Sequence, residues 1–98
     1  MLPSLEWKQT AREDLLAIVD YISDDNPDAA QALKNGIEAR VADLPRFPQM
    51  CRIGRLPHTR EMVVRSNYIV VYSEDTFAVN ILRILHSAQL WPPVVDDE

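Results

Sequence analysis

The chain has 98 residues and is short of several residue types, and each shortage narrows what it can be. A single cysteine, Cys51, excludes an internal disulfide framework and fits a reducing compartment. No apolar run approaches bilayer-spanning length. The start, Met1-Leu2-Pro3-Ser4-Leu5-Glu6-Trp7-Lys8, lacks the apolar stretch of a secretion signal, so the expected location is the cytoplasm, with no membrane partner. No set of His, Cys, Asp or Glu stands at ligand spacing, so neither a metal nor a cofactor is expected. Lysine is nearly absent, with only Lys8 and Lys34 in the first half. The length allows one domain over residues 1–98, with 92–98 expected to be a flexible acidic tail, since Pro92-Pro93 cannot continue regular structure.

What is present is acid and arginine, unevenly placed. Formal net charge is −5, which argues against nucleic acid as a partner. Yet Arg46, Arg52, Arg55, Arg60 and Arg65 face a single acid, Glu61, within twenty residues. Guanidinium groups suit planar, bidentate partners such as carboxylate or phosphate. An isolated run of this kind also reads as a solvated loop.

The periodicities give an element order. Leu5-Glu6-Trp7 alternates as a short strand. Thr10 with Glu13 forms a capping-box pattern for a first helix, with Ala11, Leu15, Ile18 and Ile22 as its stripe and Leu16 and Val19 widening it. Asn26-Pro27 caps and starts a second helix, whose stripe is Ala30, Leu33, Ile37, Val41 and Leu44 and which ends at Pro45. Gly36, with Ala29, Ala32 and Ala39, is expected to let the two helices approach closely. Residues 45–57 read as an ordered surface loop in which Met50 and Cys51 pack inward. Three strands joined by tight turns follow: 61–65, 68–72 and 77–85. The expected architecture is α+β in the order β-α-α-β-β-β. Its helix hairpin packs on one face of a small, mostly antiparallel sheet, and the other face is left for water or a partner.

That order resembles the RelE/ParE toxin superfamily, and local sequence strengthens the likeness. Arg60-Glu61-Met62-Val63-Val64, Tyr68-Ile69-Val70-Val71-Tyr72, Ile81-Leu82-Arg83-Ile84-Leu85-His86 and Trp91-Pro92 are similar to the family's closing strands. Glu13-Asp14-Leu15 and Tyr21-Ile22 fit its first helix. The resemblance spans Leu5 to Trp91. It implies the toxin of a type II toxin–antitoxin pair, held in a hetero-oligomer by a cognate antitoxin.

It leaves two activities open: ParE-like inhibition of DNA gyrase by protein binding, without enzymatic chemistry, and RelE-like, ribosome-dependent cleavage of mRNA. Metal-free RNA cleavage needs a base, an acid and cations for the phosphorane. In that reading Arg65 and Arg83 hold phosphate and His86 is the acid or base. Against it stand the acidic total charge and strand parity: Arg83 and His86, three apart, point to opposite faces unless the strand ends or bulges first. His86 also reads as a structural, hydrogen-bonded histidine, and Arg83 among apolar neighbours needs a carboxylate such as Glu61 or one from the antitoxin. Antitoxin contacts are expected at Arg52, Arg55, Arg60, Arg65 and Trp91. A non-toxic, partner-binding relative is the third possibility.

Overall fold

A computed structural model describes residues 2–89, 91 and 92. The elements are β1 (Ser4–Trp7), α1 (Gln9–Ser23), α2 (Pro27–Ala42), β2 (Arg52–Ile53), β3 (Arg60–Val64), β4 (Tyr68–Glu74) and β5 (Ala78–His86). The five strands form one sheet in the order β1-β5-β4-β3-β2. Among the described residues only the β1–β5 pairing is parallel. The α+β reading, the helix hairpin and the three-stranded meander therefore stand. The two-residue β2 lies in the stretch read from sequence as loop.

The helix start differs from the capping-box expectation. Lys8 is the cap residue, without a side-chain cap bond, and Thr10 lies inside the first turn. The cause is the sheet. The Lys8 N–H still donates to the Ile81 carbonyl at 2.9 Å, and the Lys8 carbonyl already accepts from the Arg12 N–H at 3.1 Å. The chain passes from strand to helix with no free turn, so pairing with β5 places the boundary. At the second helix, Asn26 caps as expected, its Oδ1 accepting from the Ala29 N–H at 3.1 Å, with Pro27 next.

Ala11, Leu15, Leu33, Ile37, Val41 and Leu44 bury against Met62, Val64, Val70, Tyr72, Val79, Ile81 and Ile84. Each large side chain so buried contributes roughly 1.5–3 kcal/mol. Tyr68, Val70 and Tyr72 share this helix-side face, with the Tyr72 hydroxyl donating to the Pro48 carbonyl at 2.6 Å. Burial pushes the Tyr72 phenol far above its ordinary pKa, so it stays a neutral donor. Leu16 is exposed, and so does not widen the stripe. Met50 is also exposed, against the inward packing expected of it, whereas Cys51 packs partly against the core.

Gly36 has a different use from the one expected. A Cβ there would lie 3.2 Å from Arg65 Nη2, and Ala29, Ala32 and Ala39 are exposed. The glycine seats the Arg65 side chain across α2 and does not bring the helices together.

The far face of the sheet is not bare at its centre. Ile69, Val71 and Leu85 are 5%, 0% and 1% exposed, with Leu82 and Trp91 packed against them. An apolar patch in the middle of a sheet is stabilised by a cover, and the chain beyond β5 supplies one. The tail expected at 92–98 lies, beyond Pro92, outside the described residues. Among the described residues no helix is long and apolar enough to cross a membrane.

Candidate partner-binding surfaces

The arginine cluster is organised by one buried acid. Glu61, 2% exposed on the far face, accepts from Arg52 Nη2 at 3.0 Å and from the Arg55 N–H at 3.0 Å, with Arg55 Nη2 at 3.4 Å. Burying a carboxylate costs several kcal/mol unless it is paired, and two guanidinium groups here do the pairing. Arg55 Nη1 also donates to the Trp91 carbonyl at 2.9 Å. Arg60 donates to the Cys51 and Gln49 carbonyls at 2.8 and 3.3 Å and stands 4.0 Å from Glu74. Arg52, Arg55 and Arg60 are thus engaged within the chain while keeping part of their surface exposed, and the sheet face expected to be left open is covered at its centre.

Arg83 has a partner that sequence spacing did not suggest. Its Nε and Nη2 donate to Asp14 Oδ2 and Oδ1 at 2.7 and 3.2 Å, and the Ile84 N–H donates to Oδ2 at 3.0 Å. Beyond Ile81 the β1 edge no longer covers β5, and Asp14 takes over as acceptor there. This contact holds the Arg83 guanidinium above its usual pKa. The guanidinium also lies 5.4 Å from the centroid of Trp91. A sequence signal for Asp14 existed: it sits between Ala11 and Ile18 at helical spacing, an acid on a buried stripe.

The three residues assigned to RNA chemistry do not converge. A bulge at Leu82 precedes Arg83, and from Arg83 to His86 the strand pairs regularly with Val71 back to Tyr68. Arg83 therefore faces the Trp91 side and His86 the helix side. His86 packs edge-on against Tyr68 with ring centroids 5.4 Å apart, and its Nδ1 accepts from the Ala88 N–H at 3.0 Å. The hydrogen bond expected of His86 is therefore present, on an exposed ring. Arg65, at φ 54° in the β3–β4 turn, lies over α2 and donates to the Ala32 carbonyl at 3.3 Å. Arg65 and His86 share one end of the sheet, and Arg83 is tied away from them. Among the described residues no three His, Cys, Asp or Glu side chains gather as a metal site.

One further concavity stands out. A cavity of about 310 Å³ opens where α1 and α2 meet β1, lined by Trp7, Leu15, Leu16 and Val19, with Arg12 and the Lys34–Glu38 ion pair supplying charge of both signs. Exposed Leu16, which has no role in the core, forms part of this wall.

Residues 5–91 match the ParE toxin of type II toxin–antitoxin system, parDE. The chain belongs to the ParE toxin family. Among its curated relatives is the inferred toxin Y4kP of Sinorhizobium fredii, 37% identical over 93% of this chain and 95% of that one. Another is Toxin RelE2 of Caulobacter vibrioides, 34% identical over 86% of this chain and 94% of that one. Among solved structures, the chromosomal ParDE toxin–antitoxin system of P. aeruginosa includes a chain of the same fold. Its TM-score is 0.80 at 24% identity, covering 87% of this chain and 96% of that one. A chain of the toxin–antitoxin complex RelBE2 of Mycobacterium tuberculosis matches at TM-score 0.61 and 26% identity, covering 91% and 95% respectively. This ParE-family chain is thus a type II toxin in its fold and in its sequence relatives.

Proposed function

We propose that the chain arrests growth by gripping a protein target, in the manner of ParE-like inhibition of DNA gyrase, and that a cognate antitoxin neutralises it in the cytoplasm. The observation that carries this is Arg83. Its guanidinium is committed to Asp14 of α1 and to the Trp91 ring, away from the end of the sheet that Arg65 and His86 share, which supports a reading in which the phosphate-holding pair and proton-transfer group of a metal-free nuclease are not brought together. The apolar groove at α1 and α2 is the seat assigned to the antitoxin. An amphipathic segment fits such a groove, and Arg65 on the neighbouring face of α2 would meet its acids. The expected antitoxin contacts at Arg52, Arg55, Arg60 and Trp91 are kept as secondary, because those groups already have partners within the chain.

The test is supercoiling of relaxed plasmid by DNA gyrase in the presence of the purified toxin. Inhibition is expected, with no new 5′ ends in translated messages by primer extension from induced cells. Unchanged supercoiling at concentrations that arrest growth would refute the reading. RNA cleavage keeps one favouring feature, the placement of Arg65, Tyr68 and His86 at the same end of the sheet. New 5′ ends lost in His86→Ala would establish it. A chain whose expression leaves growth unaffected would instead be a non-toxic relative.

A further inference from the structure

Three large apolar side chains stand out to solvent on one short segment between α2 and β3. Phe47, Met50 and Ile53 are 59%, 71% and 78% exposed. Such exposure on a mobile loop would mean little. This loop is fixed from within: the Pro48, Gln49 and Cys51 carbonyls are held by the Tyr72 hydroxyl and the Arg60 guanidinium. Phe47 and Met50 close one turn through the bond from the Met50 N–H to the Phe47 carbonyl at 3.1 Å. Ile53 pairs across β2–β3 with Arg60, and both line a cavity of about 310 Å³ with His58, Thr59, Ser73 and Glu74. A backbone held in place has already given up the conformational freedom that ordering a loop on binding would cost, which is how a binding surface differs from incidental exposure.

Charge indicates what fits there. Between residues 46 and 65, five arginines against Glu61 leave +4, whereas the other five cations against fourteen acids leave the rest of the chain at −9. Arg46 precedes Phe47, Arg52 falls between Met50 and Ile53, and Arg60 lies across from Ile53. Arg65 lies away over α2 and Glu74 stands beside Arg60, so around this patch Arg46, Arg52, Arg55 and Arg60 against Glu61 and Glu74 leave a surplus of two positive charges. A second copy docking face to face would bring like charges together. An RNA backbone would leave the exposed aliphatic side chains of Met50 and Ile53 without apolar partners. The occupant favoured by both features is an acidic protein surface that presents apolar anchors.

We infer that Phe47, Met50 and Ile53, with Arg46 next to Phe47 in sequence and Arg60 across from Ile53, form the face that engages the toxin's protein target, separate from the groove at α1 and α2. This rests on the proposed protein-gripping function, and the assays allow the two to fail separately. The test compares the full chain with a Phe47→Ser/Met50→Ser/Ile53→Ser variant. Phe77→Ser, equally exposed on the β4–β5 turn, serves as control. All three positions are exposed, so circular dichroism and urea midpoints should match the parent. Ile53→Ser alone is the fallback should the triple variant unfold.

With DNA gyrase holoenzyme as probe, half-inhibition should need about tenfold more of the triple variant, with Phe77→Ser unchanged. Association of gyrase with the parent should slow as salt rises from about 50 to about 300 mM. A triple variant that equals the parent in both gyrase inhibition and growth arrest overturns the inference. So does salt-independent association. If the parent leaves gyrase untouched while growth arrest disappears in the triple variant, the gyrase reading falls and the patch stands, directed at another protein. Labelled single-stranded RNA that binds the parent and is released by the same variant overturns the acidic-protein occupant. A parent chain that does not arrest growth at all sinks both.

Discussion

Replacing Asp14 by alanine should be the most damaging surface-adjacent change in the molecule, and it separates two views of Arg83. The carboxylate accepts three bonds: two from the guanidinium and one from the Ile84 N–H. Breaking a fully buried pair costs about 3–5 kcal/mol, because a charge is stranded. Here the side chains keep 28% and 18% of their surface, so water recovers part of that, and the Trp91 ring still faces the cation. The expected loss is about 2–3 kcal/mol. With a urea slope of roughly 1 kcal/mol per molar, the unfolding midpoint should fall by about 2–3 M. Arg83→Met keeps an apolar stem against Trp91 and removes the charge. The double variant Asp14→Ala/Arg83→Met should therefore be more stable than the sum of the two losses predicts, by about 1–2 kcal/mol. Urea unfolding followed by circular dichroism provides all four corners of the cycle. An Asp14→Ala midpoint indistinguishable from the parent, or strictly additive losses, would show that the ion pair does not hold α1 to β5. The same variants bear on activity. If Arg83 serves structure, Arg83→Met still arrests growth wherever it stays folded; if it binds phosphate, arrest is lost in a folded protein.

The two glycines should respond oppositely to alanine. At Gly54 the new Cβ would lie 2.3 Å from Thr59 Oγ1 and 3.1 Å from its backbone carbon, atoms held by the β2–β3 connection, so thermal unfolding should show a loss of about 2 kcal/mol. At Gly36 the obstacle is only the flexible end of exposed Arg65; alanine's helix preference, about 1 kcal/mol, then outweighs a displaced bond to Ala32, and the midpoint should hold or rise. In the β4–β5 turn, Asp75 Oδ1 accepts from the Phe77 and Ala78 N–H groups at 2.8 Å each, and these bonds hold its carboxyl below the ordinary value of 3.8. A depressed carboxylate contributes stability above its unfolded pKa and loses it as pH falls through the folded one. The stability difference between parent and Asp75→Ala should be constant near neutrality and shrink below about pH 4; a difference that persists at pH 2 contradicts the cause given.

The helix hairpin and the meander were legible because they rest on local signals. Asn26-Pro27 is a cap that works wherever it occurs, and the stripe Ala30–Leu33–Ile37–Val41 needs no knowledge of what it packs against. Features that depend on distant pairing were not legible. Thr10 with Glu13 satisfies the pattern of a helix start, but Lys8 is held by Ile81, seventy-three residues on, and the helix begins around that bond. The Gly36 reading failed in the same way. A glycine among alanines has the form of a helix–helix contact, and only the fold brings Arg65 over it. Leu16 and Met50 were placed inside because they are apolar, although an apolar side chain is free to face a groove or a partner.

Candidate sites follow from pairing, which residue counts do not contain. Five arginines against one acid looks like a surplus looking outward. Yet Glu61 is buried, so its carboxylate draws Arg52 and Arg55 inward, while backbone carbonyls of the 48–51 turn occupy Arg60. The consequence runs against the first impression: these guanidinium groups work as scaffold, shaping a loop from which Phe47, Met50 and Ile53 project. Part of their charge still acts at a distance, since Glu61 and Glu74 offset only two of the four guanidinium charges of Arg46, Arg52, Arg55 and Arg60. Positive potential can therefore draw an acidic partner toward this end while apolar contact supplies most of the binding energy, a division of labour that arginine permits because it keeps its charge when engaged.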